Sequence, residues 1–175
     1  NTTRAVHILT IEDPIEFVHQ HKKSIISQRQ IGEDTFDFVQ ALRNAMRQDP
    51  DIILMGEMRD AESVSAAITA AQTGHLVFGT LHTIDAVQTV NRIIDLYPPH
   101  QQGLMRIQLA ESLKAVISQR LLPCLKGGRI PAVEVMINTA HVKKQIEDNS
   151  SQGITQALAK GAFYGMQTFN QSLVK

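Results

Sequence analysis

Three short polar groups interrupt the apolar pattern of this chain: Glu12-Asp13-Pro14-Ile15-Glu16, Gly56-Glu57-Met58-Arg59-Asp60 and Thr80-Leu81-His82-Thr83. Each follows a run of aliphatic residues that reads as a buried strand. A carboxylate just beyond such a strand can hold Mg2+ against nucleotide phosphates, directly or through water. Glu57, after Ile52-Ile53-Leu54-Met55, fits that role, although a strand followed by an acid also describes a solvated strand end. Glu12 and Glu16 could supply a base for an attacking water; acidic residues are equally common beside a turn such as the one Pro14 implies. In open α/β sheets ligands sit beyond the carboxyl ends of the strands. If the three strands are parallel neighbours, Glu12, Glu57 and His82 therefore arrive on one edge together.

The two histidines of the third group have different prospects. A strand running from His75 to His82 would set them roughly 23 Å apart, too far to share one phosphate. Their odd spacing would also point them to opposite faces. His82, at the carboxyl end, is the candidate for touching a terminal phosphate, and His75 is expected to be structural or to lie at a subunit contact. His7, His19, His21, His100 and His141 read as ordinary surface or core residues. Cys124 is the only cysteine, which excludes an internal disulfide and a thiolate metal site and suits a reducing compartment.

Short β-branched runs alternate with longer helical stretches, a pattern that predicts an α/β fold with a mainly parallel sheet. Strands are expected at 6–11, 24–28, 52–55 and 75–82. A helix capped by Asp34 or Thr35 would bury Phe36, Val39, Leu42 and Met46, and Asp49-Pro50 would stop it. Asp60 should cap a small-residue helix ending at Gln72 before Thr73-Gly74, and Asp85 should open another that runs to Asp95 and stops at Pro98-Pro99. A long amphipathic helix is expected over 100–118. Gly127-Gly128 marks a turn, and 130–137 reads as an edge strand because it contains Pro131. Helices follow at 141–148, 152–160 and from Met166 onward.

The 175 residues are 43% hydrophobic and carry no formal net charge. That balance suits a globular domain and gives no support for broad nucleic-acid or membrane-surface binding. There are no interleaved aromatics for base stacking, so a nucleic-acid motor is disfavoured. No apolar run approaches the roughly 20 residues of a membrane span, and Asn1-Thr2-Thr3-Arg4 lacks a signal-peptide layout. A soluble cytoplasmic protein is expected.

The stretch from Leu42 to Asp60, LRNAMRQDPDIILMGEMRD, resembles the signature of the ATPase superfamily that drives type II secretion and type IV pili. Thr10 to Glu16 is similar to that family's acidic box, and Thr73-Gly74-His75 through Thr83 to its histidine box. Glu111 to Gln119 and Gly165-Met166-Gln167-Thr168 resemble the PilT/PilU retraction branch. The four-cysteine zinc loop of the extension and secretion branches is absent from the sequence, and His141 to Asp148 matches the short C-terminal motif of PilT proteins poorly.

The resemblance implies a RecA-like P-loop NTPase core with a mainly parallel sheet, expected over 1–137, followed by a helical segment over 138–175. It implies Glu12 as the base with Glu16 in support, Glu57 as the Mg2+-linked carboxylate, His82 as sensor of the γ-phosphate and His75 as coupling it to movement. Arg59 would sit beside the nucleotide, at a subunit boundary. ATP and Mg2+ are the implied ligands. The implied assembly is a homo-hexameric ring at the cytoplasmic side of the inner membrane, on the pilus platform proteins, with a paralogous retraction ATPase as a further partner. The activity implied is ATP hydrolysis powering pilus retraction. The alternatives are a non-hydrolysing accessory paralogue and a secretion or pilus-assembly ATPase.

No Gly-x-x-x-x-Gly-Lys-Ser/Thr occurs in these residues; Gly127-Gly128-Arg129 is too short and lacks the lysine. Family members carry that loop just upstream of the matching region, so truncation is the expected explanation. The 175 residues alone are expected neither to bind ATP tightly nor to hydrolyse it.

Overall fold

The structure is a computed structural model, described here for residues 1–124 and 127–174. The chain divides into two compact units, Asn1–Leu81 and His82–Lys175. The boundary expected from sequence at 137/138 lies inside the second.

The first unit is a four-stranded sheet in the order β2-β1-β3-β4, formed by β1 (His7–Glu12), β2 (Ile25–Gln30), β3 (Ile52–Met55) and β4 (Leu76–Gly79). All three neighbouring pairs are parallel, and Ile11, Met55 and Gly79 lie in register across β1, β3 and β4. Two helices, α1 (Phe38–Ala45) and α2 (Ala61–Gln72), supply the crossovers that parallel strands need. They cover one sheet face. Leu9, Ile11, Ile53 and Met55 point there and bury against Ala41, Leu42, Ala45, Ala67 and Ala70. The alanines are small residues that let the helix backbones approach the sheet. α2 starts where expected, with Asp60 accepting from the Ser63 amide in a capping box.

α1 begins later than the sequence suggested. Asp37 is its cap, accepting from the Gln40 amide at 2.7 Å. Asp34 instead accepts from the Gln30 amide at 2.8 Å and closes the turn after β2. Phe36 precedes the helix and is 87% exposed, so it is not part of the buried face.

In the second unit, α3 (Ala86–Asp95) begins at its expected cap, Asp85. The helix expected over 100–118 is α4 (Pro99–Ser112), and Val116 and Ile117 belong to a strand, β5 (Ala115–Pro123). The alternation there decides it: Val116 and Ser118 are buried while Ala115, Ile117 and Gln119 are exposed, a period of two. β5 pairs antiparallel with β6 (Arg129–Ile137) in a two-stranded ribbon. Pro131 is tolerated because every strand of such a ribbon is an edge. Three more helices, α5 (Ala140–Glu147), α6 (Ser151–Lys160) and α7 (Phe169–Leu173), complete the unit, with α3, α6 and α7 against β6 and α4 against α5. No described helix is long and apolar enough to cross a membrane.

Candidate functional site

The strand order creates a crevice. The connection leaving β1 runs towards β2, and the one leaving β3 runs the opposite way, through α2 to β4. The carboxyl ends of β1 and β3 are thus neighbours whose loops diverge, the switch point at which α/β sheets bind ligands. Glu12 ends β1, and Gly56-Glu57 follows β3. Gly56 keeps the two ends close. Its amide donates to the Ile11 carbonyl at 2.7 Å, and a Cβ there would lie 3.1 Å from that oxygen and 3.2 Å from Glu12 Cα. The rim continues to β4, where the Thr80 hydroxyl donates to the Gly56 carbonyl and the Met58 amide donates to the Thr80 carbonyl at 3.1 Å.

Two carboxylate networks occupy this rim. Glu57 Oε2 accepts from Arg59 Nε at 2.7 Å, and the Glu57 side chain retains only 23% of its exposure. Arg59 reaches on to Asp13, with Nη1 3.6 Å from Oδ2, so one guanidinium links the loops after β3 and β1. The hydrogen bond to Glu57 and its charge raise the Arg59 pKa above its ordinary value; desolvation opposes this, and Asp13 adds to it. The second network surrounds Glu12. Its Oε1 accepts from Thr10 Oγ1 at 2.6 Å and from Gln28 Nε2 at 2.9 Å. Thr10 and Gln28 are register partners on β1 and β2, and Thr10 shares a sheet face with Glu12, two residues on.

Of the residues singled out by sequence, Glu12, Glu57 and Arg59 lie along this rim. Glu16 is exposed on the loop between β1 and β2. His82 is exposed in the segment that opens the second unit. His75 lies at the other end of β4. Neither histidine is in that strand, which spans only Leu76–Gly79, so strand alternation does not set which faces the two rings take. The His75 amide and Nδ1 both face the Ala70 carbonyl, at 3.2 and 3.0 Å, which ties His75 to the end of α2. Sequence reading missed Thr10, Asp13 and Gln28. Thr10 and Glu12 share a face at spacing two, a signal that could have been read; Gln28 becomes visible only through the β1–β2 register.

The donor set limits what metal chemistry is open to the rim. Among the described residues no cluster of three or more His, Cys, Asp or Glu could hold a metal by itself. A lone carboxylate suits Mg2+ that takes its remaining ligands from phosphates and water, and Glu57 fits that demand.

The model of the type II/IV secretion system protein family matches residues 1–170. The chain belongs to that family. It is 49% identical to the type IV pilus retraction ATPase PilT of Pseudomonas aeruginosa over 173 residues, covering 99% of this chain and 50% of that protein. Against a twitching motility protein of Neisseria gonorrhoeae, identity is 52% over 174 residues, covering 99% and 46%. The crystal structure of the pilus retraction motor PilT with bound ADP superposes with a TM-score of 0.84 at 48% identity, over 98% of this chain and 52% of that one. The α/β architecture with its parallel sheet is therefore that of the family's ATPase domain. The chain spans about half the length of the curated relatives it matches.

Proposed function

We propose that the whole protein is an ATP-hydrolysing motor that works as a homo-hexameric ring and drives retraction of a type IV pilus. The observation that carries this reading is the switch-point crevice, where Glu12 and Glu57 follow adjacent parallel strands, in a chain 49% identical to a PilT retraction ATPase. In this reading Glu12 accepts a proton from the attacking water, with Glu16 in support. Glu57 holds Mg2+, whose charge offsets that of the phosphates. His82 reports the presence of the γ-phosphate, His75 couples that signal to α2, and Arg59 orients Glu57. The phosphates also need the backbone amides and lysine of a phosphate loop, a motif these 175 residues do not contain. Closure of successive subunits around nucleotide supplies the movement, exerted on pilus platform proteins at the cytoplasmic face of the inner membrane.

A second reading, a non-hydrolysing accessory subunit docked on an active paralogue, draws on the weak C-terminal motif at His141 to Asp148. Substituting Glu57→Ala in the whole protein and measuring phosphate release separates the two. A motor loses at least about 100-fold of its rate. Unchanged release by the preparation would leave the accessory reading standing.

A further inference from the structure

Glu12 does not hold its position alone. The Gln28 side-chain amide, in the middle of the neighbouring strand, makes three contacts: Nε2 donates to Glu12 Oε1 and to the Phe17 carbonyl, each at 2.9 Å, and Oε1 accepts from the His19 amide at 2.7 Å. Both amide hydrogens and the carbonyl are thereby used. Only one orientation of the amide satisfies all three partners, because the flipped one would set an oxygen against two acceptors. Phe17 and His19 belong to the loop joining β1 to β2, which Gln30 Oε1 also ties down through the Ile15 amide at 3.0 Å. That loop begins at Asp13, the residue Arg59 reaches from the Glu57 side.

The consequence for Glu12 is geometric. Thr10 and Gln28 both donate to Oε1, and among the described residues no donor reaches Oε2. Two donors on one oxygen fix the plane of the carboxylate and leave the other oxygen to receive a proton. A base held in this way loses no time or entropy finding its water.

We propose that Gln28 is a positioning residue for hydrolysis: it locks the Glu12 carboxylate in register with the 13–19 loop, with Thr10 as the second lock. This rests on the reading of Glu12 as the base, and extends it to a residue with no acid or base chemistry of its own. It also makes the 13–19 loop part of the catalytic geometry, since a displacement of Phe17 or His19 is felt at Glu12 through a single amide.

The test is a double-substitution cycle in the whole protein, read by single-turnover ATP hydrolysis together with steady-state kcat and KM. Gln28→Met keeps the length of the side chain and removes every hydrogen bond. It should lower kcat about ten-fold with KM for ATP unchanged within two-fold. In a Glu12→Gln background the same substitution should cost less than two-fold, because the group it positions is already gone. An equal loss in both backgrounds would make Gln28 merely structural, and an unchanged kcat would remove it from the reaction; either result overturns the proposal. If Gln28→Met fails to fold, Thr10→Val, which leaves the loop contacts intact, carries the same cycle with the same criteria. Should Glu12→Gln itself keep the wild-type rate, the assignment of Glu12 as base fails first, and a normal Gln28 variant beside an inactive Glu12 variant would sink this inference alone.

Discussion

Both ends of the parallel sheet carry polar side chains, but they differ in what those groups mostly touch. At the amino end, side chains close mainly on main chain, with His7–Ser27 the cross-strand side-chain pair. Asp51 Oδ2 accepts from the His7 amide at 2.8 Å, Ser24 Oγ donates to the Arg4 carbonyl at 2.7 Å, and the rings of His7 and His75 face the carbonyls of Gln48 and Ala70. At the carboxyl end, side chains close on one another across strands: Thr10 and Gln28 on Glu12, and Arg59 on both Glu57 and Asp13. The first arrangement ties off strand starts. The second orients carboxylates at the rim of the crevice. Polarity alone therefore does not separate a site from a scaffold; the identity of the bonding partners does.

The largest effect expected from this contrast is at Glu12. Glu12→Gln keeps the shape of the side chain and removes the base proposed above, so kcat of the whole protein should fall about 100-fold or more, while its melting temperature stays near that of the wild type. Steady-state phosphate release and a thermal melt on the same preparation check both halves. A large drop in melting temperature would reduce the carboxyl end to a second scaffold and break the comparison.

How much of this could be read from the residues in order follows the same division. Ile52-Ile53-Leu54-Met55, Asp60 and Asp85 were legible because burial and capping are local signals, and the observed β3, α2 and α3 begin or end where those residues dictate. The rim positions of Glu12 and Glu57 needed one more step, that their strands are parallel neighbours, which the alternation of strands and helices supports. The extent of β4 was not legible. His75 and His82 flank an apolar run and look like parts of it, yet His75 is captured by the last turn of α2 and the chain leaves the sheet at Thr80 to bond with the loop after β3. β5 was missed for the same reason: Val116 and Ile117 fit a helical stripe as well as they fit an alternation, and only pairing with β6 decides between them. Gln28 was out of reach because its role depends on standing opposite Thr10, a register that no local pattern encodes.

A smaller effect is expected at the amino end. His7 bonds to Ser27 Oγ at 3.0 Å and to the Gln48 carbonyl at 3.2 Å. Losing both in His7→Ala should cost about 1–2 kcal/mol of stability and leave kcat within two-fold of the wild type. Urea unfolding and ATP hydrolysis together read this. A ten-fold loss of kcat without a loss of stability would mean that the amino end also serves the chemistry.

The smallest effect carries the contrast into the second unit, where a carboxylate serves structure. Glu134 Oε1 accepts from the Ala86 amide at 2.9 Å, at the start of α3. Its pKa is raised, chiefly by burial; Asp85 adds to this, while the Ala86 amide and Arg120 oppose it. The folded state thus keeps a proton that the unfolded chain, titrating near about 4.3, has already released. The contribution of this proton to stability is complete below that pH and disappears as pH rises through the folded-state value. Glu134→Gln can still accept from Ala86 and carries no charge at any pH. Between pH 4 and pH 7 the urea midpoint of the variant should therefore gain on that of the wild type, by less than the His7 effect. A gap that moved the other way would mean that the charged form is the one the fold prefers.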